Sequence, residues 1–89
     1  MTHSREARED AAYTEVAVAA LRELAGLRIR RADADRKAGR PHRILSRIAK
    51  DGLAAADKLE RYGLPEARAM MTHDELYRLN EIARNDSAA

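Results

Sequence analysis

Apolar positions recur every three or four residues from Tyr13 onward, which is the period of an α-helix rather than a strand. Tyr13, Val16, Ala17, Ala20, Leu21, Leu24 and Leu27 fall within one arc of about 140° at 100° per residue. This stripe predicts a first helix with Ser4 as its N-cap and with Glu6, Glu9 and Asp10 near the positive end of the helix dipole. Beyond Leu27 the same arc holds Arg28, Arg31 and Asp35, so burial is expected to end there even if the helix runs on. Gly26 lies off the stripe, where a glycine costs about 1 kcal/mol of helix propensity.

Gly39, Arg40 and Pro41 interrupt the pattern. Pro41 suits the first turn of a new helix, where a missing N–H costs nothing. A second helix is predicted to about Tyr62, burying Ile44, Leu45, Ile48, Ala49, Gly52, Ala55, Ala56, Leu59 and Tyr62 on one arc. Asp51 stands within reach of Arg47 on the turn before. Gly63 can adopt a left-handed C′ conformation, Leu64 can fold back on the last turn, and Pro65 blocks continuation. Residues 65–71 predict a short helical turn. Thr72 followed by Glu75 matches a capping box, placing a third main helix over about His73 to Arg84 with Leu76, Leu79, Ile82 and Ala83 on its apolar face. The expected fold is all-α: a single domain over residues 1–89, a small three-helix bundle with an extra helical turn near 65–71, and frayed ends at 1–4 and 85–89.

Composition constrains the core. The chain has nineteen Ala but only nine Leu, four Ile, two Val and three Tyr, with no Phe or Trp. A small domain with so few large side chains must either pack its helices closely or cover apolar surface with a partner. Val18, Ile29, Met70 and Met71 fall off or beyond the main stripes and are candidates for such surface. The absence of cysteine excludes disulfides and zinc–thiolate sites and favours a reducing compartment. With no apolar run resembling a signal peptide or a membrane span, a cytoplasmic location is expected.

The net charge of +2 hides a strong asymmetry. Residues 1–27 carry three basic and five acidic side chains, residues 28–50 nine and two, and residues 51–89 five and eight. One central block is therefore strongly basic. Arg43, Arg47, Lys50, Lys58 and Arg61 share an arc of helix 2 beside its apolar face. Arg28, Arg30, Arg31, Arg36, Lys37 and Arg40 show no consistent face, and this stretch reads equally as a helix end or a mobile connection.

Few residues suggest other chemistry. His3 lies near the start, His42 among arginines, and His73, Asp74 and Glu75 are consecutive, so they radiate from a helix instead of converging on a metal. Asp33 and Asp35 lack the further oxygen ligands and turn glycine of a calcium loop, and local compensation by Arg30, Arg31 and Arg36 explains them better. Ser46 has His42 one turn away but no orienting third group. The four glycines form no phosphate-cradling loop. No metal, cofactor or catalytic residue is therefore expected.

The expected function is a non-enzymatic binding module that contacts nucleic-acid phosphates through its basic face, without strong sequence specificity. No aromatic residue lies within 28–50 to stack on bases. An ordinary solvated charged face would carry the same pattern. Two other functions fit it as well: an adaptor or inhibitor docked on an acidic protein surface, for example that of a nucleic-acid enzyme, and a structural homodimer formed through helix 1.

Overall fold

The computed structural model describes the backbone of residues 2–88 and the side chains of residues 11–84. Among the described residues four helices follow in order: α1 Thr2–Lys37, α2 Arg43–Tyr62, α3 Glu66–Met70 and α4 His73–Ala88. The expected all-α bundle is what forms. α2 packs along α1, α4 lies against both, and α3 is a single turn between them. The molecule is elongated, 57 × 28 × 16 Å, because α1 is far longer than the helices beside it.

α1 is one continuous helix, so residues 28–37 are helical and not a mobile connection. It begins at Thr2, which puts Ser4 within the helix rather than at its cap. The side chains of Ser4, Glu6, Glu9 and Asp10 lie outside the described residues. The helix ends through local geometry. Gly39 takes φ +74°, its N–H donates to the Arg36 carbonyl, and the Arg40 N–H donates to the Asp35 carbonyl at 2.7 Å. This pairing satisfies two of the last carbonyls and requires a residue tolerant of positive φ at position 39.

The buried face of α1 differs from the expected stripe. Ala17, Val18, Leu21, Ala25 and Ala32 are buried, whereas Val16 and Leu27 are 60% and 50% exposed and Tyr13 is also exposed. The face is rotated by roughly 80° at 100° per residue. Val18, expected at the surface, is core, and burial continues past Leu27 to Ala32. α1 thus carries two apolar stripes, and the one made mostly of small residues packs inside.

Alanine explains the choice. Opposite that face, α2 buries Ala49, Gly52, Ala55, Ala56 and Leu59. Among the described residues, the largest fully buried side chains are Leu21, Leu59 and Leu79. Small residues on both helices let the backbones approach closely, so packing density is reached without bulk. At Gly52 a Cβ would lie 3.8 Å from the Ala25 Cβ and 3.9 Å from the Leu21 carbonyl oxygen. Ile44 and Tyr62, expected in this face, are exposed, and Leu45 and Ile48 are half-buried.

Pro41 precedes α2 instead of opening it, and His42 is the N-cap residue without a capping side-chain hydrogen bond. At the other end Gly63 has the expected positive φ of 69°, but its ψ of 175° is extended and not left-handed helical. Leu64 does turn back onto the core cluster. The capping box before α4 forms as expected. The Thr72 N–H donates to Glu75 Oε1 at 2.9 Å, and the Glu75 N–H donates to Thr72 Oγ1 at 3.2 Å. α4 then buries Leu79 and Ile82 with Leu76 beside them, and its backbone stays helical beyond Arg84 to Ala88. Met71 is buried at the turn while Met70 stays exposed. Among the described residues, no buried side-chain polar atom lacks a hydrogen-bond partner.

Candidate nucleic-acid interface

The eleven basic side chains expected to bind phosphate divide into two groups. Arg28, Arg36, Lys37, Arg40 and Lys58 are held in internal ion pairs. Arg30, Arg31, Arg43, Arg47, Lys50 and Arg61 are exposed and have no acidic partner among the described residues.

Two of the engaged cations, Arg28 and Lys58, join different helices, and the other three pair locally. Arg28 of α1 reaches Glu81 of α4 at 2.8 Å, and Arg78 shares that carboxylate at 3.1 Å. Lys58 of α2 donates to the buried Glu75 carboxylate and to the Met70 carbonyl. Burial alone would push the Glu75 carboxyl up, but hydrogen bonds from Lys58 and the Thr72 backbone outweigh it and leave it below the usual carboxylate range. Asp33 accepts from Arg36 at 2.6 Å and lies 3.1 Å from Lys37. Hydrogen bonds from Arg36 first and then Lys37 hold its carboxyl low. Asp35 is taken by Arg40 at 2.8 Å. The Asp33–Asp35 pair is therefore neutralised locally, by Arg36, Lys37 and Arg40; Arg30 and Arg31 take no part.

Four of the unpartnered cations stand on α2, and Arg30 and Arg31 stand on α1. At 100° per residue, Arg43, Arg47, Lys50 and Arg61 fall within roughly 60° of one another, opposite the arc of Ala49, Gly52, Ala55, Ala56 and Leu59. They therefore lie on the side of α2 opposite its buried face, with Lys50 also bordering the groove toward α1. Arg47 and Asp51, one turn apart, form no ion pair among the described residues. Arg43, Arg47 and Lys50 span about 10 Å along the axis at 1.5 Å per residue; Arg61 stands three turns further on.

The start of α2 adds to this positive field. Its first turn contains no acidic residue, and no side chain caps it. The His42 ring instead lies 3.4 Å from the Arg40 carbonyl. Orphan N–H groups and the positive end of the helix dipole thus stand beside Arg43 and Arg47. An apolar hollow adjoins them, lined by Gly39, Pro41, Ile44, Leu45 and Ile48. A second groove runs between α1 and α2, where Lys50, Ser46 and His42 face Ile29, Asp33 and Arg36.

Several structural roles were not anticipated from the sequence. Arg22 of α1 bridges to Glu60 at 2.7 Å and to Asp57 at 3.2 Å on α2. Hydrogen bonds to Glu60 and then Asp57 raise the Arg22 pKa, and Arg22 in turn lowers that of Glu60. This neutralises acidic groups that would otherwise oppose the basic arc. Arg78 and Arg84 sit over the Tyr77 ring at 4.5 and 4.9 Å from its centroid, a cation–π arrangement. No side-chain hydrogen bond joins Ser46 to His42, and no group of three potential metal ligands forms, among the described residues. No helix among them is long and apolar enough to cross a membrane. Compared with known proteins, the chain matches no family model, no curated protein and no solved structure.

Proposed function

We propose that this protein is a non-enzymatic binding module whose α2 outer face contacts nucleic-acid phosphates through Arg43, Arg47 and Lys50, with Arg61 at the far end. The observation that carries this reading is the lack of any acidic partner among the described residues for these exposed cations, on a helix that no side chain caps at its N-terminus. Cations already spent in ion pairs would have to break them to bind phosphate; these would not. The 10 Å span matters too. Over such a span the long Arg and Lys side chains can reach neighbouring phosphates of a duplex backbone. Without aromatic residues on this arc, contact is with the backbone and sequence preference is weak.

The test is a salt titration of binding to a generic duplex. A log–log slope near −3 is expected, at about −0.9 per phosphate contact. The combined variant Arg43→Glu, Arg47→Glu, Lys50→Glu should abolish binding, while Arg36→Ala should leave the slope nearly unchanged. Absence of binding at low salt would reject the proposal.

A second reading rests on the apolar hollow beside the same cations. Ile44 is 78% exposed next to Arg43, so the end of α2 presents charge and aliphatic surface together. An acidic protein with an apolar anchor would use both. Loss of affinity on Ile44→Ser that exceeds the loss on Arg43→Ala would favour this protein-docking reading over phosphate contact.

A further inference from the structure

The outer stripe of α1 is apolar, exposed and unmatched by any helix of the bundle. Val16 and Leu27 are 60% and 50% exposed, Tyr13 is exposed, and Ala34 and Ala38 continue the line past Arg31. Its charges are arranged by sign. Glu23 lies before Leu27 on this side of the helix, and Arg30 and Arg31 lie after it, all exposed and none in an ion pair among the described residues.

We propose that two copies of this chain associate through this stripe, antiparallel, with the two-fold axis at Leu27. The stripe is complementary to itself about that residue. Positions three, four, seven and eleven away from Leu27 in either direction share one helix face. Four residues away, Glu23 meets the second copy's Arg31. Seven away, Ala20, half-buried at the edge of the core, meets the second copy's exposed Ala34, and the pair of small residues allows axes as close as about 8 Å. Eleven away, the bulk of Val16 meets the second copy's Ala38, which stands in the turn directly after α1 with its N–H still donating to the Ala34 carbonyl. A two-fold interface requires this reciprocity, because each residue contacts its counterpart twice. A parallel arrangement would instead set Glu23 against Glu23 and Arg31 against Arg31, which is repulsive. Charge therefore selects both the occupant and its direction. Arg43, Arg47 and Lys50 are not part of this face, so dimerisation and phosphate binding stand or fall separately.

Because the chain has no cysteine, single replacements report the geometry directly. Under mild oxidation Leu27→Cys should form a disulfide-linked dimer, and so should the double variant Val16→Cys, Ala38→Cys. Val16→Cys alone should not, since its two copies would stand about 33 Å apart along the helices, far beyond the roughly 7 Å that a disulfide spans. Sedimentation equilibrium of the full chain provides the second arm. Glu23→Arg and Arg31→Glu should each weaken the dimer roughly tenfold, as two attractive pairs become repulsive, and the double exchange should restore it. All these positions are exposed, so the helical circular dichroism signal should persist in each variant. A chain that stays monomeric at high micromolar concentration, a dimer indifferent to either charge reversal, or a Val16→Cys that cross-links as readily as Leu27→Cys would overturn the proposal.

Discussion

Lys58 and Glu75 are joined across the bundle, and the same ammonium also donates to the Met70 carbonyl at 3.1 Å. One side chain thereby ties α2 to the end of α3 and to the first turn of α4. Its place on the basic arc of α2 made it a candidate phosphate ligand, but Glu75 is only 6% exposed and depends on this cation. Lys58→Ala is expected to cost about 2–3 kcal/mol, because it leaves a buried carboxylate without its partner. Arg61→Ala, on an exposed residue of the same helix, should stay within about 0.5 kcal/mol. Urea denaturation of both variants checks the contrast, and equal losses would refute it.

The same carboxylate sets a pH dependence. The folded-state pKa of Glu75 is lowered, although burial opposes the Lys58 and Thr72 hydrogen bonds that lower it. A group with a depressed folded pKa contributes stability above its unfolded pKa, about 4.3 for Glu, and loses that contribution as pH falls through the folded value. Glu75→Gln should therefore be less stable than the parent at pH 7. The gap should narrow below about pH 4.3, as the parent becomes protonated. Chemical denaturation across pH 3–7 would show this convergence; a gap that widens in acid would contradict the assignment.

The two valines of α1 test its orientation. Val18 is 8% exposed and Val16 is 60% exposed, two residues apart. Val18→Ala should cost about 1.5 kcal/mol, as two buried methyl groups are lost. Val16→Ala should be neutral or slightly stabilising in the monomer, since alanine is the better helix former. Measurement at low micromolar concentration keeps association out of the comparison. The opposite ranking would return the core to the stripe through Val16 and Leu27.

That orientation was the part of the fold least legible in the sequence. The breaks after α1 and α2 and the start of α4 were readable because their causes are local: Gly39 before Pro41, Gly63 before Pro65, and Thr72 three residues before Glu75. The starts of α1 and α2 were not, since Ser4 lies inside α1 and Pro41 precedes α2. The buried face of α1 was not, because two apolar stripes compete and periodicity weights Leu24, Leu27 and Tyr13 above Val18, Ala25 and Ala32. Close approach to the small residues of α2 decides in favour of the alanines, and that is a property of the pair of helices. The basic arc of α2 was legible for the same reason as its buried face, since both follow from helical spacing. The division of the cations was only partly so. Asp33 and Asp35 find partners within a turn or two, but Lys58 and Glu75 are 17 residues apart, Arg22 and Glu60 are 38, and Arg28 and Glu81 are 53. No local pattern marks such pairs.

Two glycines separate helix propensity from backbone necessity. Gly26 lies inside α1, and a Cβ there would meet nothing within 4 Å. Alanine at this site gains helix propensity and loses nothing, so Gly26→Ala should stabilise the protein by about 1 kcal/mol. Gly39 has equal room for a Cβ, but its φ of +74° is unfavourable for any residue with one. Gly39→Ala should therefore destabilise by about 1–2 kcal/mol, because the turn that closes α1 and directs the chain into α2 requires that conformation. Thermal melts of the two variants should move in opposite directions from the parent. A shift in the same direction would mean that the chain leaves α1 by some route other than the Gly39 turn, and the arc of Arg43, Arg47 and Lys50 would then no longer be fixed relative to α1.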